Sequence, residues 1–266
     1  MKPEVSFGLE VAGTEGKPVL LLIHGFAGSS HTWDASLPFL EPHFQIVLLD
    51  LPGHGAAALQ PDVSWHQLCE AVSEILVHGI PEPRYVCGYS MGGRIALHVA
   101  LHWPNAMNKL AVIGASPGIE NVEERATRHQ SDHALAAQIR SNGIEWFENY
   151  WSHLPLFATQ KELPPEVQEW LKRERLANPP EGLAAALENW GTGEQEWLLP
   201  RLAEIQCPTL LISGARDEKF CNLSRQMAQA IPSSRRVEIP DAGHAAHIEQ
   251  PESVAHELRQ FFGSTF

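Results

Sequence analysis

Cysteine is scarce: four in 266 residues, at Cys69, Cys87, Cys207 and Cys221, with no Cys-x-x-Cys pair. That spacing argues against a disulfide scaffold or a zinc ribbon. Because Cys87 and Cys207 lie in or beside apolar runs, buried free thiols are expected. Positive charge is also short, 19 Lys and Arg against 32 Asp and Glu, for a formal net charge of −13. With no lysine- or arginine-rich block to offset this, nucleic acid and anionic membrane surfaces are disfavoured as partners. No apolar run approaches the roughly 20 residues of a bilayer span. Residues 1–10 lack a basic start followed by an apolar core. No repeat or low-complexity tract is visible. A soluble, cytoplasmic protein is therefore expected, with one main domain or one domain carrying an insertion.

What the chain does have is rhythm. Strand candidates fall at 19–24, 45–49, 84–88, 109–114, 208–213 and 235–239, with a weaker pair before residue 12. Between them lie helical patterns. Ser64-Trp-His-Gln67 reads as a capping box ahead of Leu68, Ala71, Val72, Ile75 and Leu76, and Pro251-Glu252 opens a last helix carrying Val254, Leu258 and Phe261. Strands alternating with helices predict an α/β protein with a mostly parallel sheet covered on both faces.

Gly88-Tyr89-Ser90-Met91-Gly92 follows the apolar run Tyr85-Val86-Cys87 and opens a helix-like stretch. A serine at a sharp strand-to-helix turn is a nucleophile elbow, and its flanking glycines are needed where a Cβ would clash with passing backbone. A hydroxyl is weak until an imidazole takes its proton. Asp217, after the run Thr209-Leu-Leu-Ile-Ser213, and His244, after Arg236-Val-Glu-Ile239, supply the missing partners. The first motif alone fits an ordinary tight turn. Three in the order Ser, Asp, His, each after its own strand, fit the α/β-hydrolases. His24-Gly25-Phe26-Ala27-Gly28 follows the buried run 18–23, where this fold supplies an oxyanion donor, so the amides of Phe26 and Met91 are the expected oxyanion hole. His24 itself and the turn Asp50-Leu-Pro-Gly-His-Gly55 read as structural.

Strand signals vanish between about Pro117 and Pro200. An inserted helical lid is expected over 117–200, with the hydrolase core in 1–116 and 201–266. The lid holds Trp146, Phe147, Tyr150, Trp151, Phe157, Trp170, Trp190 and Trp197, mostly as its own packing, with one or two lining a pocket. It also carries Arg125, Arg128, Arg173 and Arg175. Glu124 and Asp132 stand four residues on either side of Arg128, so plain surface ion pairs explain that arginine equally well.

Several segments together resemble a known family nearly end to end: Gly88-Tyr-Ser-Met-Gly-Gly-Arg94, the stretch Ser116 to Asp132 with its Pro-Gly-Ile…Arg-Ala-x-Arg…Ser-Asp pattern, Phe157-Ala158, Gly214-Ala-Arg-Asp-Glu-Lys-Phe220 and Ala242-Gly-His-Ala-Ala-His247. They are similar to the 2-succinyl-6-hydroxy-2,4-cyclohexadiene-1-carboxylate synthases of menaquinone biosynthesis. The elbow and histidine loop are common to the superfamily, whereas Gly-Gly-Arg94 and the Ser116 to Asp132 pattern are far more specific. The resemblance implies a lyase that eliminates pyruvate from an enolpyruvyl, succinyl-substituted cyclohexene carboxylate. It also implies a small anionic substrate and no cofactor. His244 and His247 stand three apart, but their segment reads as a loop with no carboxylate or thiolate partner pattern, so no metal ion is expected there.

By the same resemblance Arg94, Arg128 and Arg175 would bind substrate carboxylates, with Trp151, Tyr89 and Phe157 lining the pocket. Guanidinium meets carboxylate in a two-pronged geometry that lysine cannot reproduce. The run around Ala177-Asn-Pro-Pro-Glu181 departs from the family near Arg175, and an extra residue before Pro155 leaves Tyr150 in competition with Trp151. Plain packing is the alternative for Tyr89 and Phe157, and His247 is expected in a supporting or surface position. A monomer is expected. The same triad would also serve a carboxylesterase or a carbon–carbon bond hydrolase. A non-catalytic hydrolase-fold binding protein usually lacks a triad member, and this chain lacks none.

Overall fold

A computed structural model describes residues 5–263. Seven strands form one sheet: β1 Gly8–Gly13, β2 Val19–Ile23, β3 Gln45–Asp50, β4 Arg84–Tyr89, β5 Lys109–Ile113, β6 Thr209–Gly214 and β7 Ser234–Ile239. Their spatial order is β1-β3-β2-β4-β5-β6-β7. β1 runs antiparallel to β3 and every other pairing is parallel. Before residue 12 the described residues hold one strand, β1, where the sequence suggested a pair; residues 1–4 lie outside the described residues.

Alternation along β2 shows why a continuous apolar run was the right strand signal. Leu20 and Leu22 pack into one core and Leu21 and Ile23 into another, because a central parallel strand is covered on both faces. The helices are α1 Leu37–Leu40, α2 Trp65–Glu74, α3 Met91–His102, α4 Val122–Ser152, α5 Pro165–Leu176, α6 Pro180–Trp190, α7 Glu218–Ala230, α8 Ala246–Glu249 and α9 Pro251–Gly263. α2 begins on the expected reciprocal capping box of Ser64 and Gln67. It packs with α3 on the Leu21 face, while Val254, Leu258 and Phe261 of α9 fill the Leu20 face.

All of α4, α5 and α6 falls between β5 and β6, and no strand interrupts them. This stretch has a small core of its own, in which Ala136, Ile139 and Phe147 of α4 meet Leu183 and Leu187 of α6, with Phe26 packed against it. α4 bends at Gly143, whose φ of 80° is outside the helical range. The four cysteines are buried free thiols, as their apolar surroundings implied. Among the described residues no helix is long and apolar enough to cross a membrane.

Candidate active site

β4 ends on Tyr89, and the chain turns at Ser90 with φ 50° and ψ −107° before α3 begins. A non-glycine residue at positive φ stores roughly 1–3 kcal/mol that the surroundings must hold in place. They do so with backbone: the Ser90 amide donates to the Ile113 carbonyl at 2.8 Å. Neither flanking glycine could carry a side chain. A Cβ on Gly88 would stand 2.6 Å from the Gly93 nitrogen, and one on Gly92 would stand 2.6 Å from the His24 carbonyl oxygen.

Two further strand ends deliver the partners. Asp217 caps the N-terminus of α7 after β6, with Oδ1 accepting from the Phe220 amide at 3.3 Å. Its Oδ2 lies 2.8 Å from Nδ1 of His244, and His244 Nε2 lies 3.1 Å from Ser90 Oγ. A carboxylate only accepts, so the imidazole proton sits on Nδ1 and the Nε2 lone pair faces the serine hydroxyl. His244 is 2% exposed and Asp217 8%, which shields both links from water.

The loop around His244 is held by a residue that the sequence did not single out. Buried Glu249 accepts from the amides on either side of His244, Gly243 at 2.7 Å and Ala245 at 3.2 Å. Its distance of five positions from the histidine is the one signal that was available. His247 takes the supporting rather than the surface position: it is fully buried, with its ring 4.3 Å from that of Tyr89 and 4.6 Å from that of Trp33. Burial pushes it down to about 3, so it is neutral. His24 is structural as read, its Nε2 accepting from the Leu51 amide at 3.0 Å and so tying two strand-end loops together.

Ser90 and His244 open into a cavity of about 370 Å³. Its lining includes apolar and aromatic Phe26, Trp151, Leu156 and Phe157 together with polar Arg94, Arg128, Lys219 and Thr192. Phe26 and Met91 both line it. Met91 is the first residue of α3, where a helix leaves its amide without an intrahelical partner. The Phe26 amide has no hydrogen-bond partner among the described residues.

Arg94 is buried and points its guanidinium outward from α3, donating to the Trp190 carbonyl at 2.8 Å and to Gln195 Oε1 at 3.3 Å, over the face of Trp65. Burial, and then the charge of Arg128, push it down to about 10. Arg128 spans both sequence readings: its Nε bonds both oxygens of Asp132, at 2.8 and 2.9 Å, while the residue lines the cavity. Asp132 is buried, so this is no ordinary surface pair.

Arg175 lies farther from Ser90 than the other two arginines of the resemblance. It does not line the Ser90 cavity but a smaller adjoining one of about 50 Å³, sharing Phe26, Tyr89, Trp151 and Phe157 with the first. Its guanidinium is engaged by Gln160 Oε1 at 2.5 Å and Glu148 Oε1 at 3.5 Å, and its Cζ lies 5.8 Å from the centre of the Phe157 ring. Between the two aromatic candidates, Trp151 lines the cavity and Tyr150 is exposed. Trp190 also lines it, making three aromatics from 117–200 where one or two were expected. Lys219, two residues past Asp217, is a cavity residue that the sequence reading passed over.

Residues 18–251 match the family described as alpha/beta hydrolase fold. The chain belongs to the α/β-hydrolase family. Within that family it belongs with the 2-succinyl-6-hydroxy-2,4-cyclohexadiene-1-carboxylate synthases. One of these, from Photorhabdus laumondii, is 33% identical over 253 residues, covering 94% of this chain and 87% of its own. The solved structure of MenH from S. aureus superposes with a TM-score of 0.92 at 33% identity, covering 97% of this chain and 98% of that one. A malate-bound thermophilic esterase from Thermogutta terrifontis also superposes, with a TM-score of 0.85 at 29% identity over 99% of this chain and 95% of its own. In this hydrolase-fold member, as in any, the scaffold alone does not choose the reaction; the charges around Ser90 must.

Proposed function

We propose that this chain eliminates pyruvate from 2-succinyl-5-enolpyruvyl-6-hydroxy-3-cyclohexene-1-carboxylate, giving 2-succinyl-6-hydroxy-2,4-cyclohexadiene-1-carboxylate. One observation carries the reading beyond family likeness. The cavity that opens on Ser90 has guanidinium groups from Arg94 and Arg128, near enough for Arg128 to depress Arg94. Like charges in a partly buried cavity repel unless an anion lies between them. Asp132 already answers Arg128, but the Arg94 guanidinium bonds only the neutral Trp190 carbonyl and Gln195, so an anionic carboxylate is the complement it lacks and a neutral ester does not supply one.

The chemistry needs a proton taken from the carbon beside the succinyl ketone, a home for the developing enolate oxygen, and departure of the enolpyruvyl oxygen from the ring. In the proposal Ser90 Oγ takes the proton while passing its own to His244 Nε2, and Asp217 stabilises the imidazolium that results. The amides of Phe26 and Met91 hold the enolate oxygen. Such a donor contributes about 2.7–4 kcal/mol to transition-state stabilisation. The enolate then re-forms the ketone, a second ring double bond forms, and the carbon–oxygen bond to the enolpyruvyl group breaks; that fragment takes a proton and leaves as pyruvate. No water is consumed and no acyl-enzyme forms.

Arg94 and Arg128 hold substrate carboxylates, with Tyr89, Trp151 and Phe157 packing the ring. Arg175 is proposed to position Phe157 from behind rather than to touch substrate. Residues 117–200 serve as a lid over the 1–116 and 201–266 core, and the cytoplasm is the proposed site of action.

Ser90→Ala tests the base. Pyruvate release, with substrate generated in situ, should fall to the spontaneous rate, while binding of the tricarboxylate changes less than about threefold. Near-normal release in that variant would overturn the proposal. A short chromogenic ester run in parallel addresses the esterase reading that the Thermogutta likeness raises: brisk ester cleavage without pyruvate release would select it.

A further inference from the structure

Two helices carry histidines four residues apart, and one short segment, 191–197, faces both. His98 and His102 of α3 meet Glu196, and His129 and His133 of α4 meet Glu194; in each set the possible ligand atoms lie within 4.8 Å of one another. Spacing of four puts both rings on one helix face.

Hydrogen bonding separates the two sets. Nδ1 of His98 accepts from Trp65 Nε1, a group that can only donate, at 3.3 Å. The ring proton of neutral His98 therefore sits on Nε2, and no lone pair is left for an ion. On α4 no such bond intervenes. His133 Nε2 is buried and has no hydrogen-bond partner among the described residues. His129 Nε2 lies 2.9 Å from Glu194 Oε1, and the two imidazoles are stacked 4.2 Å apart.

We propose that His129, His133 and Glu194 form a binding site for a divalent transition-metal ion of the Zn²⁺ type. Two imidazoles and a carboxylate are the donor set that such borderline ions take, whereas Mg²⁺ and Ca²⁺ prefer oxygen alone. Bonds of about 2.0–2.2 Å in a tetrahedron need donors roughly 3.3 Å apart, so small rotations of partly exposed side chains complete the site and leave one position for water. The backbone already brings the carboxylate in. Gly193 lies so close to α4 that a Cβ there would stand 2.7 Å from the His129 nitrogen.

The charged neighbours are paired off, Glu188 with Arg140 and Arg128 with Asp132, which leaves the Glu194 carboxylate as the charge facing the two imidazoles. The ion would join α4 to segment 191–197, which contribute Arg128 and Gly191–Thr192 to the Ser90 cavity. Occupancy would fasten that wall without touching the reacting atoms.

The test is titration of the full, tag-free, chelator-stripped chain with Zn²⁺ by calorimetry and with Co²⁺ by visible absorption. One equivalent should bind, with the intense bands of four-coordinate Co²⁺. His133→Gln and exposed Glu194→Gln should each weaken binding by roughly tenfold or more. His102→Gln should leave it unchanged. Absence of saturable binding, wild-type affinity in both α4-site variants, or loss confined to His102→Gln would overturn the assignment.

Discussion

Ser90, Asp217 and His244 leave the C-terminal ends of strands, whereas Arg128, Trp151 and Arg175 ride on the helical stretch between β5 and β6, and different forces hold the two groups. At the strand ends the restraint is backbone: a strained φ of 50° at Ser90, glycines with no room for a Cβ, and a buried carboxylate clasping the amides beside His244. On the helices it is side chain against side chain, Arg128 on Asp132 and Arg175 on Glu148 and Gln160. The first group owes its geometry to the backbone around it. The second satisfies its charges internally, so a substrate carboxylate must compete with a resident partner.

Asp217→Asn breaks the strand-end side hardest. An amide nitrogen facing Nδ1 would favour the proton on Nε2, removing the lone pair that Ser90 needs, and kcat should fall about 10⁴-fold. Pyruvate release measures it. A loss under tenfold would mean that His244 does not work through its tautomer.

Acid separates the regions next. Burial is the main cause holding His54 and His247 down to about 3 and His98 down to about 4, and all three belong to the sheet half. An unfolded histidine titrates near 6.5. Below that pH the unfolded chain binds protons that the folded chain refuses. This stabilisation is therefore whole above about pH 6.5 and is lost as pH falls toward 3–4, at up to roughly 1.4 kcal/mol per unit for each histidine. Denaturant midpoints between pH 8 and 5 should fall on the acid side. A flat profile would show that these rings are not held neutral.

The same contrast explains what could be read from sequence. The triad was legible because each member follows an apolar run with a turn signal, and sheet register then brings the run ends together. The same logic put Phe26 and Met91, the proposed oxyanion donors, on the cavity wall. Glu249 was missed, since only its closeness to His244 along the chain marks a carboxylate that acts on amides four and six residues back. Lys219 reaches the cavity only because α7 starts at Glu218, directly after its cap Asp217. In the helical stretch, periodicity gave helices but not where they sit, so the sequence could not show that Arg175 lines an adjoining cavity beside Phe157. Sequence alone leaves His247 between a supporting and a surface position, because polarity does not reveal two aromatic neighbours distant along the chain.

Two arginines sharpen the comparison at its smallest effects. Arg128→Ala should raise KM about tenfold or more, since a hydrogen bond to a charged group contributes roughly 1.5–3 kcal/mol. It should also cost stability, because buried Asp132 loses the partner of both its oxygens. Arg175→Ala should change KM by no more than about threefold. Its loss strands Glu148 and Gln160 instead, so the thermal midpoint moves while turnover barely does. If steady-state kinetics found the two KM effects equal, Arg175 would have to reach the substrate past Phe157. That requires the aromatic wall shared by the two cavities to rearrange on binding, and the helical stretch would then be a closing element rather than a fixed wall.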